Sequence, residues 1–302
     1  MNGGSLPIYQ DWWHYDVING VQQALTPPET RVTKAVRESL GICPFPLPEP
    51  RSYPCLPTLW ESPTNERIVF SSGHVEGEIN TWLANVDGSN ALYLDTFPGS
   101  PGNVMWSSDD EWLLIGLHVG VDGSNLYYLV KSDGSFVKSL EEITNTSHFR
   151  VQGPKPQFSP DGQKLAFVGT EAICKQMPCE DLDIEDEYNL YILDLDTFES
   201  QLISSRFGLF QWTNEGNGLY VLDGSANTAG HSVNYSFSGM QLADFYYIDL
   251  TRETPREEKL LGDIPLYLPY LGAWSYSPEA EAMAGMFDLD GRGPMFSILS
   301  LK

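Results

Sequence analysis

The sequence predicts an all-β fold, a β-propeller of four-stranded antiparallel blades, and three observations carry that expectation. The 302 residues hold 27 Gly and 21 Pro with 12% aromatics, and few stretches read as long amphipathic helices. That mix suits many short strands joined by tight turns. An aromatic residue, a small polar turn and an apolar strand recur in five copies. These are WESPTNERIVFSS from Trp60, WSSDDEWLLIGLH from Trp106, FSPDGQKLAFVGT from Phe158, WTNEGNGLYVLDG from Trp212 and WSYSPEAEAMAGMF from Trp274. The copies begin roughly fifty residues apart, the period of a propeller blade.

Each copy reads as strand A ending at the aromatic, a turn, then strand B. The turn segments carry the Pro, Asp, Asn and Gly that β-turns demand. A third strand, C, follows in INTWLANVDG, NLYYLVKSDG, NLYILDLDT, DFYYIDLTR and MFSILSL. A more polar fourth strand, D, follows four of them as NALYLDTF, SFVKSLEEI, SQLISS and EEKLLGD. DWWHYDVINGVQQALT near the N-terminus fits strands C and D of a further blade. The fifth copy has no strand D, so these N-terminal strands are expected to close the ring and remove its exposed edges. The expected organisation is one domain over 1–302, with five or six blades. Residues 1–26 form a half-blade, 27–56 a short helix (TRVTKAVRESLG) and a Pro-rich loop, and 57–302 the repeated blades.

Forty-one acidic residues against 17 basic ones give a net charge of −24. Such a surface repels phosphate backbones and anionic membranes, which argues against nucleic acid or membrane partners. It favours solubility as a monomer and attracts cations or basic partners. No apolar run is long enough to span a bilayer. The segment MNGGSLPIYQD lacks the basic and apolar regions of a signal peptide. Cys43 and Cys55 bracket one loop, and Cys174 and Cys179 another. Two local pairs suggest two disulfides and an oxidising compartment, with free thiols or a metal as alternatives. The expectation is an extracytoplasmic protein, although no signal peptide is visible: either the start is truncated relative to a longer parent, or the thiols are reduced in a cytoplasm.

The copy FSPDGQKLAFVG at 158–169, followed by NLYILDLDT at 189–197, resembles the WD40-like repeat of TolB-type propellers. The resemblance covers 57–302, with the half-blade at 8–26. Only Ser159–Gly162 carry the full SPDG core. Ser62–Pro63 and Ser277–Pro278 keep part of it, while Trp106–Asp109 and Trp212–Glu215 have drifted. The resemblance implies a propeller acting in protein interaction, often outside the bacterial cytoplasm. The same repeats form the gating domain of prolyl oligopeptidase-like hydrolases.

Motifs for chemistry are sparse. A hydrolase of that kind needs G-x-S-x-G on an α/β domain. The nearest match, Gly230-His231-Ser232-Val233-Asn234, lacks the second Gly. Phosphate-binding, H-E-x-x-H and EF-hand signatures are absent. DLDGRG at 288–293 opens like a calcium loop but lacks the later acidic ligand. Counting from each aromatic to the end of strand B reaches His74, His118, Glu171, Asp223 and Asp288. In register, these ligand-binding candidates ring one mouth of the channel. Imidazole and carboxylate together suit zinc, manganese or iron, although polar residues are common in loops. The other histidines, His14, His148 and His231, show no partner spacing. The long segments Glu171–Glu187 and Ser225–Gln241 fall on the same face. Trp12, Trp13, Trp82, Tyr127 and Tyr191 read as inter-blade packing.

The resulting expectation is a non-catalytic scaffold without a cofactor, engaging a protein, peptide or small ligand on the face of the B–C loops. The rivals are a metal-assisted hydrolase or lyase using His74, His118 and Asp288, and the severed gating propeller of a larger hydrolase.

Overall fold

The computed structural model describes residues 12–16, 21–25, 59–64, 66–75, 78–97, 100–119, 124–145, 147–148, 155–170, 189–206, 208–223, 240–267, 274–287 and 295–300. The Cys pairs, Glu171, Asp288, His231 and the helix expected within 27–56 lie outside them.

An N-terminal hairpin pairs β1 (Trp12–Asp16) with β2 (Val21–Leu25) as a sheet of its own. The first blade follows as β3 (Leu59–Glu61), β4 (Arg67–Val75), β5 (Glu78–Asn85) and β6 (Leu92–Phe97). The second is β7 (Ser100–Trp106), β8 (Trp112–Val119), β9 (Ser124–Lys131) and β10 (Val137–Ser139), trailed by α1 (Leu140–Thr144). The third begins with the short β11 (Ser147–His148), then β12 (Gln157–Phe158), β13 (Lys164–Thr170), β14 (Asn189–Asp194) and β15 (Ser200–Ser204). The fourth is β16 (Leu209–Trp212), β17 (Gly218–Asp223), β18 (Met240–Asp249) and β19 (Arg256–Tyr267). The fifth holds β20 (Ser275–Ser277), β21 (Ala282–Phe287) and β22 (Met295–Ser300). Pairing is antiparallel in the order A-B-C-D; β11 adds to β13 beside β12, and a single pair between β19 and β21 joins the fourth and fifth blades into one sheet. Among the described residues β22 pairs with β21 alone and the β1–β2 hairpin stands apart, so the sheets do not close into a ring.

Alternation along the B and C strands explains how the blades stack. In β8, Leu113, Ile115 and Leu117 pack with Val69, Leu83 and Phe97 of the first blade. Trp112 and Leu114 point the other way, onto Leu165, Phe167, Tyr191 and Leu193 of the third. A strand sandwiched between two neighbours is apolar on both faces, which is why WLLIGL reads as a continuous run. The third and fourth blades meet through Val168, Ile192, Phe210, Val221 and Ile248. The fourth and fifth meet through Leu222, Phe245, Ile264 and Met283. Tyr127 and Tyr191 lie in these seams, as packing residues should.

The A–B turn is the repeated element with the best-defined chemistry. The Ser159 hydroxyl accepts from the Lys164 amide at 2.9 Å and donates to Asp161 at 2.5 Å. Ser107 does the same with Trp112 and Asp109. Ser62 and Thr213 accept from Arg67 and Asn217 at 3.2 Å each. Asp110, Gly162 and Gly216 occupy the same turn position at φ of 58°, 74° and 70°. The left-handed conformation explains the Gly in two copies, and Asp tolerates it in the third. Ser277 accepts from Ala280 at 3.3 Å, which aligns it with the other turn hydroxyls.

That alignment corrects the sequence register of two copies. In the fifth, β20 starts after Trp274, and Tyr276 is the residue preceding the turn hydroxyl. In the first, that place belongs to Glu61, because Ser62 closes the turn. The hydrogen-bonding hydroxyl, not the nearest tryptophan, fixes the end of strand A. A second correction concerns SFVKSLEEI. Only Val137–Ser139 is strand. Ser139 caps α1 by accepting from the Glu142 amide, and the Glu142 carboxylate accepts from the Ser139 amide. This reciprocal S-x-x-E box ends the strand and starts a helix.

Neighbouring blades are also joined at their turns and inner strands. The Thr64 hydroxyl donates to Asp110, and Ser108 donates to the Pro160 carbonyl at 2.6 Å. Gln157 donates to the Phe210 carbonyl at 2.7 Å, and Trp212 donates to the Gln157 carbonyl at 3.0 Å. Gln211 brackets the Tyr276 peptide, accepting from its amide at 3.0 Å and donating to its carbonyl at 3.3 Å. These links put successive A strands side by side, as blades around an axis require.

Burial has a pH consequence. It pushes the Tyr127 phenol from 10.0 up to about 12. Below pH 10 the ring is neutral in both folded and unfolded chain. Between pH 10 and about 12 only the unfolded chain ionises, so stability is expected to fall as pH rises through that window. Denaturant midpoints across the window check this, and Tyr127→Phe is expected to flatten the slope.

Candidate functional site

Strand B ends, and strand A is entered, on the face opposite the A–B turns. Three of the five candidates lie on described B strands near that end. His74 occupies β4 where the pairing shifts between Ser72 and Val75. His118 lies in β8, opposite Ser100 and Asn125. Asp223 closes β17, opposite Asp244. Of these, only Asp223 has a described side chain.

Asp223 is fully buried. Its carboxylate meets the Arg206 Nη1 at 3.1 Å. Arg206 lies just beyond β15, in the connection that enters β16. Its Nε reaches Glu257 on β19 at 2.8 Å, and its guanidinium lies 3.9 Å above the Tyr246 ring. The Ser204 hydroxyl donates to the other Glu257 oxygen and accepts from the Arg206 amide at 2.9 Å. The arrangement ties the outer strand of the third blade to strands B, C and D of the fourth. Burial works against the charge on Arg206, yet the hydrogen bonds to Glu257 and Asp223 outweigh it and hold the guanidinium above its usual pKa.

A second pair lies on the same sheet. Lys259 donates to Asp244 at 2.6 Å, and Tyr246 donates to the same oxygen at 3.2 Å. The Lys259 bond is the main reason the Asp244 carboxyl sits below the usual range. Gly208 is required beside this network. A Cβ there would lie 1.9 Å from the Leu222 carbonyl oxygen, a backbone atom with nowhere to go.

The sequence reading found Asp223 but missed Arg206, Glu257 and Tyr246. A lone Arg in SSRFG carries no signal by itself, and its partners are brought to it by the blade-to-blade stacking. The site sets three carboxylates, Asp223, Glu257 and Asp244, against two cations, Arg206 and Lys259, with Arg206 shared between Asp223 and Glu257. Among the described residues, no cluster of three His, Cys, Asp or Glu is arranged to hold a metal ion.

Antiparallel four-stranded sheets, stacked face to face with their A strands adjacent, define a β-propeller. No family model and no curated protein matches the chain. Similar solved structures include an oligogalacturonate lyase in complex with manganese, at a TM-score of 0.50 and 11% identity over 97% of this chain and 72% of that one. TolB from Acinetobacter baumannii is similar at 0.42 and 14% identity, over 96% of this chain. The β-propeller domain of the trilobed protease from Pyrococcus furiosus is similar at 0.47 and 10% identity, over 81% of this chain and 69% of that one. The chain spans 62% of the length of that TolB. Solved TolB structures thus stand among the structural counterparts of the chain, and the likeness is one of fold. The similar structures also include enzymes, an acylaminoacyl peptidase among them. No helix among the described residues is long and apolar enough to cross a membrane.

Proposed function

We propose that the chain is a non-catalytic binding propeller that engages a protein or peptide partner on the face where strand B leads into strand C. One observation carries this reading: the connections are unequal on the two faces. The A–B turns occupy 62–66, 107–111, 159–163 and 213–217, and the C–D turns 86–91, 132–136, 195–199 and 250–255. All are short; backbone hydrogen bonds close each of them but 250–255, where the Asp249 carboxylate accepts from the Thr251 amide. On the other face the B–C connections span 76–77, 120–123 and 288–294 in the first, second and fifth blades and lengthen to 171–188 and 224–239 in the third and fourth. Long segments on a rigid scaffold are where binding residues concentrate. The Arg206–Asp223–Glu257 network sits at the base of the second of them, since Asp223 is its last strand residue.

The segment 171–188 carries Glu171, Glu180, Asp181, Asp183, Glu185, Asp186 and Glu187 against a single base, Lys175. That charge favours a basic partner. The same reading makes the protein an extracytoplasmic monomer, with the N-terminal hairpin as the closing half-blade. A metal-assisted hydrolase or lyase is the rival, favoured by His74 and His118 at corresponding strand ends of neighbouring blades.

Site-specific photo-crosslinking tests the proposal. A benzoylphenylalanine is placed at Ser225 in one full-length protein and at Ser135, in a C–D turn, in another, each expressed in its native cells. A discrete adduct from position 225 and none from 135 is the expected result. An adduct from 135 alone, or from neither, overturns it.

A further inference from the structure

On the face opposite those connections, three tyrosines gather at the seam of the fourth and fifth blades. Tyr220 and Tyr247 are direct cross-strand partners on β17 and β18, so their side chains share one face of the sheet. Their ring centroids are 5.4 Å apart. Tyr276 of β20 comes in from the fifth blade, 4.5 Å from Tyr220 and edge-on to it. All three rings are half-buried. Glu215 projects from the A–B turn of the fourth blade, Glu279 and Glu281 from that of the fifth, and Asp249 closes β18 beside them. Glu215, Glu279 and Glu281 are exposed; Glu279 accepts from the Ser277 hydroxyl at 3.2 Å, and Asp249 is engaged by Arg252 at 3.2 Å.

Elsewhere this protein covers such rings with its own cations. Lys131 lies 5.8 Å over Trp112, Lys138 lies 5.8 Å over Phe136, and Arg206 covers Tyr246 between Asp223 and Glu257. At the fourth–fifth seam the rings and the carboxylates are present. Among the described residues no Lys or Arg lies over the rings. The geometry points to this tyrosine seam as a docking site for an arginine- or lysine-bearing segment of a partner protein. The partner's cation would take the position that Arg206 fills at the neighbouring seam. Aromatic faces attract cations through their quadrupole, and flanking carboxylates add Coulombic attraction. Burial first, then the neighbouring tyrosines, Glu215 and Glu279, hold Tyr220 up at about 12. Its ring is neutral at physiological pH, and one of its faces stacks on Phe245 at 5.8 Å. The inference stands apart from the B–C face reading, since it concerns the other end of the blades.

The test uses the full chain and a fluorescein-labelled peptide of alternating Gly and Arg, read by fluorescence anisotropy. Tyr276→Leu, which keeps an apolar side chain and removes the ring, is expected to weaken binding about five- to tenfold. Tyr276→Phe is expected to bind like the parent. Glu215→Gln with Glu279→Gln, both at exposed positions that leave folding intact, is expected to weaken binding several-fold. The control pair Glu199→Gln with Glu111→Gln, of equal charge change on exposed sites of the second and third blades, is expected to leave it unchanged. No measurable binding to the parent chain overturns the proposal. So does a Leu variant that binds like the Phe variant, or a control pair that loses as much as the rim pair.

Discussion

Replacing Arg206 with Met is expected to lower the unfolding free energy by about 3 kcal/mol, because it strands a buried carboxylate. Asp223 has 1% of its side chain exposed, and Arg206 has 34%. The loss comes mainly from removing the cation that faces the buried acid, since a charge out of water needs pairing or neutralisation. The Arg206→Met/Asp223→Asn double variant is therefore expected to recover part of the loss. Met keeps the packing of the Arg stem on Tyr246, so an Arg206→Ala chain should be less stable still. Chemical denaturation of the four proteins checks the prediction. A loss near zero in Arg206→Met would show that the buried Asp223 carboxylate does not depend on Arg206.

Phe167→Ala is expected to cost about 3–5 kcal/mol, the range for emptying a fully buried aromatic site. Phe167 is fully buried and stacks on Tyr191 at 5.5 Å, in the seam where the second and third blades meet. Trp112, Leu114, Leu129 and Leu140 of the second blade share that cluster. Two separate sheets line the cavity, so neither can collapse into it without shifting a whole blade. Leu202, on the outer strand of the third blade and 51% exposed, provides the contrast. Leu202→Ala is expected to change stability by less than about 0.5 kcal/mol, as exposed substitutions do. Equal effects at the two positions would contradict the stacked-blade account.

Much of the architecture was legible because a propeller repeats its chemistry locally. Turn, apolar strand and second turn recur within each module, so five weak copies reinforce one another. Drift at Trp106–Asp109 and Trp212–Glu215 did not destroy the turn, which needs only a hydroxyl and a residue tolerant of positive φ. Ser107 with Asp110, and Thr213 with Gly216, still supply both. The fifth copy misled the register because Trp274 is the more conspicuous aromatic, while Ser277 makes the turn hydrogen bond. The strand read through SFVKSLEEI stopped at Ser139, where the S-x-x-E cap was present in the sequence and outweighed its alternation.

Contacts between blades were much less legible. Gln157 and Gln211 each stand two residues before a turn hydroxyl, and that shared position is a visible trace of their role. Arg206, Glu257 and Tyr246 left no such trace, because a pair joined across blades has no fixed sequence spacing. The same holds for Tyr220, Tyr247 and Tyr276, which read as ordinary strand aromatics until the fifth blade is set against the fourth.

The central claim is that the mouth formed by the B–C connections binds a partner without metal chemistry. Elemental analysis of the full chain, purified from metal-supplemented medium, tests it most directly alongside His74→Ala and His118→Ala variants. The account predicts less than about a tenth of an equivalent of manganese, zinc or iron, unchanged by either substitution. One equivalent of a single metal, lost in both variants, would contradict it and turn the mouth into an active site.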